Sequence, residues 1–557
     1  MRATLRSLLL LLAACPVPVL AAGDYAALVQ LAQDWRAFER PAVSHCVPDY
    51  GTAALSAKAA GLPALRARLA GIDTHGWPSD QLVDYKLIEA EMNGLEFDLR
   101  VRRPWARDPS FYATVIGERS DVPQHEGVTA APTIDLYAYA FPLARAAQQT
   151  LTCSLGAIPA LLEQAKANLR DSNARDLWVY SVRTLREQSE VLARLQAGDL
   201  DMRTLEGNNH ADLAGANRAL MTALQRARLA TDGFIEWLNA QAPAKTGPSG
   251  VGKENYNWYL QKVHLVPYDW DQQETLLRRE LERAQAGLRE EEYRNRDLPP
   301  LASANTPEAF RASSVGRMQK LTDFLIQSGI VPDKDYYRDA MAKQALEFVP
   351  PEKRNFFLQG AAREPLALYS HDYHWIELAR MKYEPNASPI RRLPALSNMF
   401  DARSEGLATA MEETLMHSGL YDDNPRGREV VWIMLANRAA RGLASLYVQA
   451  NELTLQQAGH FHAQWTPRGW SDPNSDLVAF EQLLYLRQPG YGTSYIVGKL
   501  QFERLMSEYA HSQEAAGKPF SLADFFAHMN RSGTIPFALI ELEMIDADAR
   551  LDVRADR

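Results

Sequence analysis

Within four positions of this 557-residue sequence stand His371, Asp372 and His374, the side chains best suited to chemistry. On a helix, histidines three apart share one face, and an imidazole pair at that spacing can chelate a divalent ion. A third ligand is needed, and the best acid for it is Glu405, at the start of the next strongly helical stretch. Two neutral imidazoles and a carboxylate leave zinc one open position, where water reaches a pKa of about 7 and serves hydrolysis. Asp372 is the nearest general base. The same residues also read as a hydrogen-bonded polar patch at a helix start, and their spacing leaves both readings open.

Other motifs carry less. His460 and His462, two apart, point to different faces of a helix and are expected at the surface. Gly247-Pro248-Ser249-Gly250-Val251-Gly252-Lys253 has the glycines and lysine of a phosphate loop, but Glu254 follows where a hydroxyl should hold magnesium, and no strand-like run precedes it. Nucleotide is therefore not expected there. A loop lining a binding cleft, with Tyr256 and Trp258 as substrate contacts, is the functional alternative to a plain glycine-rich turn. His125-Glu126-Gly127 lacks a second histidine four residues on and makes a poor metal motif.

Helices must position these groups. Periodicity of three to four residues marks 25–38, 81–99, 155–169, 174–197, 211–240, 272–294, 307–328, 405–418, 426–451 and 476–486, and Ser521 with Asp524 forms a capping box before another helix. Alternating strand patterns are nearly absent, so the expected fold is all-α, a single large helical body over residues 23–557 with a central cleft. The longest apolar stretch, 430–450, carries Asn437, Arg438 and Arg441 and reads as a buried helix, not a membrane span.

Composition bounds the rest. With 46% hydrophobic and 23% charged residues the chain can bury a sizeable core, which excludes collagenous and disordered classes. A net charge of −9 without a basic cluster argues against nucleic acid as a partner. Residues 1–22 have the pattern of a signal peptide: Arg2 and Arg6, an apolar stretch over 8–14, and Val19-Leu20-Ala21 before the cleavage point. A periplasmic or secreted location follows. Leu12-Ala13-Ala14-Cys15 offers the alternative of a lipoprotein anchored at Cys15, which the proline after the cysteine disfavours. Of three cysteines, Cys46 and Cys153 would remain after cleavage, either bridged or as two buried thiols.

Glu405-Gly406-Leu407-Ala408, Gly419-Leu420-Tyr421-Asp422, and the run from Arg487 through Pro489, Gly490, Tyr491 and Tyr495 to Gly498-Lys499 are similar to motifs of the bacterial DUF885 family, exported zinc metallopeptidases of the gluzincin type. Ile72-Asp73 and Asp84-Tyr85 resemble its N-terminal helices. The resemblance implies a helical peptidase-like hydrolase that uses zinc on a peptide or related amide substrate. It implies Glu405 as ligand, Pro489, Gly490 and Tyr491 along the substrate cleft, and Tyr495 or Arg441 near the developing oxyanion. The family's His-Glu-x-x-Pro-Gly-His-His string is absent: His371-Asp372 stands for His-Glu only across a gap, and Ser445 and Gln449 replace a later Asp and His. A metal-free relative that binds a peptide or envelope component is the alternative reading.

Overall fold

The computed structural model describes residues 22–123 and 132–545. The leader, Cys15 and His125-Glu126-Gly127 lie outside them. Helices make up 67% and strands 4%, so the chain is mainly α-helical as its periodicity requires.

Three N-terminal helices, α1 (Ala22–Glu39), α2 (Thr52–Ala70) and α3 (Ser79–Phe97), lead through the short α4 (Pro104–Arg107) to α5 (Arg145–Asn168), α6 (Arg175–Ala197) and α7 (Arg218–Gln241). These last three pack around their own core, with Leu155, Leu185 and Leu224 at its centre. The chain continues through α8 (Lys253–Lys262), α9 (Trp270–Arg294), α10 (Pro307–Gln327), α11 (Asp335–Ala342), α12 (Phe356–Ala361), α13 (Leu366–His371) and α14 (Tyr373–Tyr383). It ends with α15 (Asp401–His417), α16 (Gly427–Gln449), α17 (Leu455–Trp465), α18 (Asp476–Arg487), α19 (Tyr491–Ala515), α20 (Leu522–Ser532) and α21 (Phe537–Met544). Most of these share one larger core with α1, α2 and α3.

Local chemistry explains many boundaries. Asp269 and Gln272 close a capping box on α9, Thr454 and Gln457 another on α17, and Ser521 accepts from the Asp524 amide to start α20. The helix expected over 211–240 begins only at Arg218, where the Asn217 side chain accepts from the Leu220 amide as its cap; upstream, Gly207–His210 pairs with Asp201–Thr204 as an antiparallel hairpin. Gly207 supplies the positive φ of 106° in that turn.

Three helices, α15, α16 and α19, centre the molecule. α16 is buried along almost its whole length, and its polar members therefore need partners inside the protein. α15 and α19 touch backbone to backbone: a Cβ on Gly406 would stand 2.3 Å from Gly498 Cα. Only glycine at both positions permits that approach. Among the described residues no helix is long and apolar enough to cross a membrane. Cys46 and Cys153 are bridged, with Cα atoms 5.8 Å apart, tying the loop after α1 to α5.

Candidate metal centre

His371 and His374 do not share one continuous helix. Asp372, with φ −64° and ψ 6°, ends α13 and begins α14, so His371 closes one helix while His374 stands in the first turn of the next. The rings still meet edge to face, with centroids 5.1 Å apart. α14 is locked on α15 by the buried pair of Glu377 with Arg403, 2.8 Å apart, and this sets the register that brings His374 to Glu405. One carboxylate oxygen, Glu405 Oε2, lies 3.3 Å from His371 Nε2 and 3.3 Å from His374 Nε2. The other, Oε1, accepts from the Tyr491 hydroxyl. Glu405 thus turns a single oxygen toward both imidazoles.

The far side of each ring is also engaged. His371 Nδ1 lies 2.9 Å from Glu412 Oε1, an ion-pair contact not aligned as a hydrogen bond; a ring that offers its Nε2 lone pair to a metal carries its proton on Nδ1, on the side of this carboxylate. His374 Nδ1 lies 3.3 Å from Ser404 Oγ. Glu412 is paired at 2.6 Å with Arg438, itself fully buried. Carboxylate-backed imidazoles of this kind are how proteins orient histidine toward a metal.

The donor set fits a zinc-sized ion. Bonds of about 2.0–2.1 Å in a tetrahedron put neighbouring ligand atoms about 3.3–3.4 Å apart, and both edges to Glu405 are 3.3 Å. His371, His374 and Glu405 each present one ligand atom within 4.8 Å of the others. Charge points the same way. Buried Glu412 pairs with buried Arg438, and buried Glu481 with Arg441, which leaves the two imidazoles as the cationic or metal-bearing partners of buried Glu405. Burial would push the Glu405 carboxyl up, but the two imidazoles hold it well below the ordinary carboxylate range. Burial alone would lower His374, and Glu405 instead draws it up to about 9.

Of the other expected residues, Tyr495 lies beside the imidazoles, and Gly490 packs toward Leu260 instead. Tyr495 stacks with His371 at 6.0 Å between centroids. Arg441 lies over the Tyr495 ring at 4.2 Å and pairs with Glu481, so it braces Tyr495 from behind. Pro489 and Gly490 are buried in the turn before α19, where Gly490 has φ 94°. Tyr491 holds the Glu405 carboxylate, a role not expected from its motif. Asp372 is partly buried, and burial together with the Asp121 charge pushes its carboxyl up to about 7.

Others do not join the cluster. Tyr256 is buried and bonded to Gln273 and Thr493, bracing α19 from outside the imidazole cluster, while Trp258 stacks on Phe97. Neither side chain contacts His371, His374 or Glu405 in the interactions they make. The glycine-rich loop spends its amides within the protein: Gly250 N donates to Asn451, and Val251 N and Gly252 N donate to Gln449. Gln449 therefore holds the loop and the end of α18, and Ser445 bonds within α16. The surface expectation for His462 is corrected: it is buried against Asn437, and burial, with Arg441 adding to it, pushes it down to about 3, while His460 is exposed. Glu412 was readable in principle, since it lies seven residues after Glu405, two turns along one helix face.

Fold and cluster together define a mainly helical protein with two histidines and a glutamate converging in its interior. The chain belongs to the bacterial family DUF885, described as a bacterial protein of unknown function, whose model matches residues 37–344, more than half of the sequence. The motifs at 405–408 and 487–499 that suggested this family lie beyond the matched residues. Two solved structures described as putative lipoproteins have the same fold. That from Shewanella oneidensis, of unknown function, is 16% identical with a TM-score of 0.65, covering 94% of this chain and 99% of its own. That from Colwellia psychrerythraea is 14% identical with a TM-score of 0.64, covering 94% and 98%. No curated protein matches the chain.

Proposed function

We propose that the protein is an exported, zinc-dependent hydrolase acting on a peptide or related amide, with His371, His374 and Glu405 as the metal ligands. The observation that carries this reading is the convergence of both Nε2 atoms on one oxygen of Glu405 at a tetrahedral edge length. A zinc ion on three protein ligands supplies a Lewis acid with one position left for water or substrate. The chain's own groups do the rest. Glu412 and Ser404 keep the imidazoles turned inward, Tyr491 fixes Glu405, and Asp372 takes the proton from the attacking water. Tyr495, held by Arg441, offers its hydroxyl to the developing oxyanion. The Cys46–Cys153 bridge supports an oxidising compartment outside the cytoplasm.

The test is elemental analysis of protein purified without chelator, coupled to cleavage of a mixed peptide library. About one zinc per chain, lost in His374→Ala, with chelator-sensitive cleavage that Asp372→Asn abolishes, supports the proposal. Protein that takes up no metal, and whose melting is indifferent to chelator and to added zinc, refutes it and leaves a metal-free binding protein.

A further inference from the structure

A cavity lies away from the imidazole cluster, between the end of α1, α2 and the 104–111 segment, with a volume of about 330 Å³. That is the small end of ligand cavities, which run from about 300 to 1,000 Å³. Phe38, Tyr50, Leu55, Leu95, Trp105 and Phe111 give it an apolar, largely aromatic wall. Tyr50 and Phe111 meet edge to face at 4.8 Å, and Trp105 meets Phe111 at 6.4 Å. The backbone of Tyr50 is pinned by Gln164 and Asn168 of α5, so the aromatic corner is preformed.

Charged groups in the wall are spent, with one exception. Lys58 donates to the carbonyls of Phe38, Glu39 and Arg40. Arg102 grips Asp98 through two bonds of 2.6 Å, and Arg487 pairs with Asp108 at 2.6 Å. Arg40 and Asp49 are exposed to solvent. Glu39 is left. The residue is 8% exposed and its Oε2 has no hydrogen-bonding partner among the described residues; Tyr50 is 7% exposed and its buried hydroxyl has none either. Burial pushes the Glu39 carboxyl up to about 8, and Lys58 and Arg102 do not hold it down. An unpaired buried carboxyl costs stability unless something pairs with it.

We propose that this cavity binds a small organic ammonium ion, its apolar body against Tyr50, Trp105 and Phe111 and its charged nitrogen on Glu39. Aromatic faces favour a cation, and a bound ammonium would draw the Glu39 carboxyl into its ionised form as a counter-ion, while Lys58, Arg102 and Arg487 are already engaged by protein acceptors.

Calorimetric titration of the whole mature protein with 2-phenylethylammonium, 2-phenylethanol and phenylacetate tests this. The ammonium should bind with a millimolar or tighter Kd and phenylacetate at least about tenfold more weakly. Glu39→Gln should bring the ammonium down to the affinity of the alcohol. Ala54→Phe, which grows into the cavity from α2, should remove both. The proposal falls if the ammonium does not bind at about 10 mM, if phenylacetate binds as well as the ammonium, or if neither variant changes the titration. The three-probe comparison needs no variant, so it decides the matter even if a substitution fails to fold.

Discussion

Glu405 and Glu412 sit seven residues apart on α15 and do opposite things to His371. Glu405 faces its Nε2 at 3.3 Å, where a metal would sit, while Glu412 faces its Nδ1 at 2.9 Å from the other side. The second contact matters because imidazole has two tautomers, and only the one protonated at Nδ1 offers Nε2 as a ligand. Glu412 also neutralises buried Arg438 at 2.6 Å, so the arginine is tied to the imidazole through one carboxylate oxygen. Replacing Glu412 with glutamine keeps a side-chain oxygen near both partners but removes the charge that makes the imidazole a stronger ligand. Glu412→Gln should therefore weaken zinc binding by about 10- to 100-fold. Competition with a chromophoric chelator measures it, and unchanged zinc affinity in a folded variant would remove Glu412 from the design.

At the scale of elements, the crossing of α15 and α19 decides how Tyr491 and Tyr495 meet Glu405 and the imidazoles. Glu405 rides on one helix and Tyr491 and Tyr495 on the other, and Gly406 against Gly498 sets their separation. A methyl group on Gly406 would meet backbone atoms at 2.3 and 2.5 Å, which cannot yield as a side-chain tip would. Gly406→Ala should cost about 3 kcal/mol or more and loosen the Tyr491 hold on Glu405, so zinc affinity should fall with stability. Gly316→Ala is the counterpart: it lies exposed within α10 with open space around it and should stabilise by up to about 1 kcal/mol. Urea unfolding of both variants, with zinc titration of the first, separates packing from propensity. The contrast also shows what sequence could carry. His371, His374 and Glu405 were legible from residue type and spacing, and α15 and α16 from their helical period. The break at Asp372, Tyr491 turning to Glu405 and Tyr256 serving as a brace were not, because each depends on which helices touch. No local period encodes the meeting of residues 406 and 498. His462 misled for the same reason: its spacing with His460 put them on different faces, but only the packing of α17 on α16 decides which face is inside.

Across the whole molecule, the three-helix unit of α5, α6 and α7 has its own core and must be fixed to the larger body that holds the imidazoles. Arg487 reaches Asp108 at 2.6 Å just before the turn into α19, and Arg183 on α6 reaches Asp476 at the start of α18 at 2.7 Å. The first pair is buried and the second exposed, so the first carries more weight. The covalent tie is the Cys46–Cys153 bridge, which spans 107 residues and joins the segment after α1 to α5. In the chain-entropy account, closing a loop of that length restricts the unfolded state by close to 5 kcal/mol, about the upper end of what native bridges contribute. Losing it should not disturb the imidazole cluster, since none of the interactions among His371, His374, Glu405 and Glu412 involves either cysteine. The double variant Cys46→Ser with Cys153→Ser should thus lose about 2–5 kcal/mol of stability to urea while binding zinc with the parent's affinity. A variant as stable as the parent would mean that the two cores hold each other through packing and ion pairs alone. Lost zinc affinity would show instead that the docking of the three-helix unit reaches the metal site through Arg487 and the turn that places Tyr491.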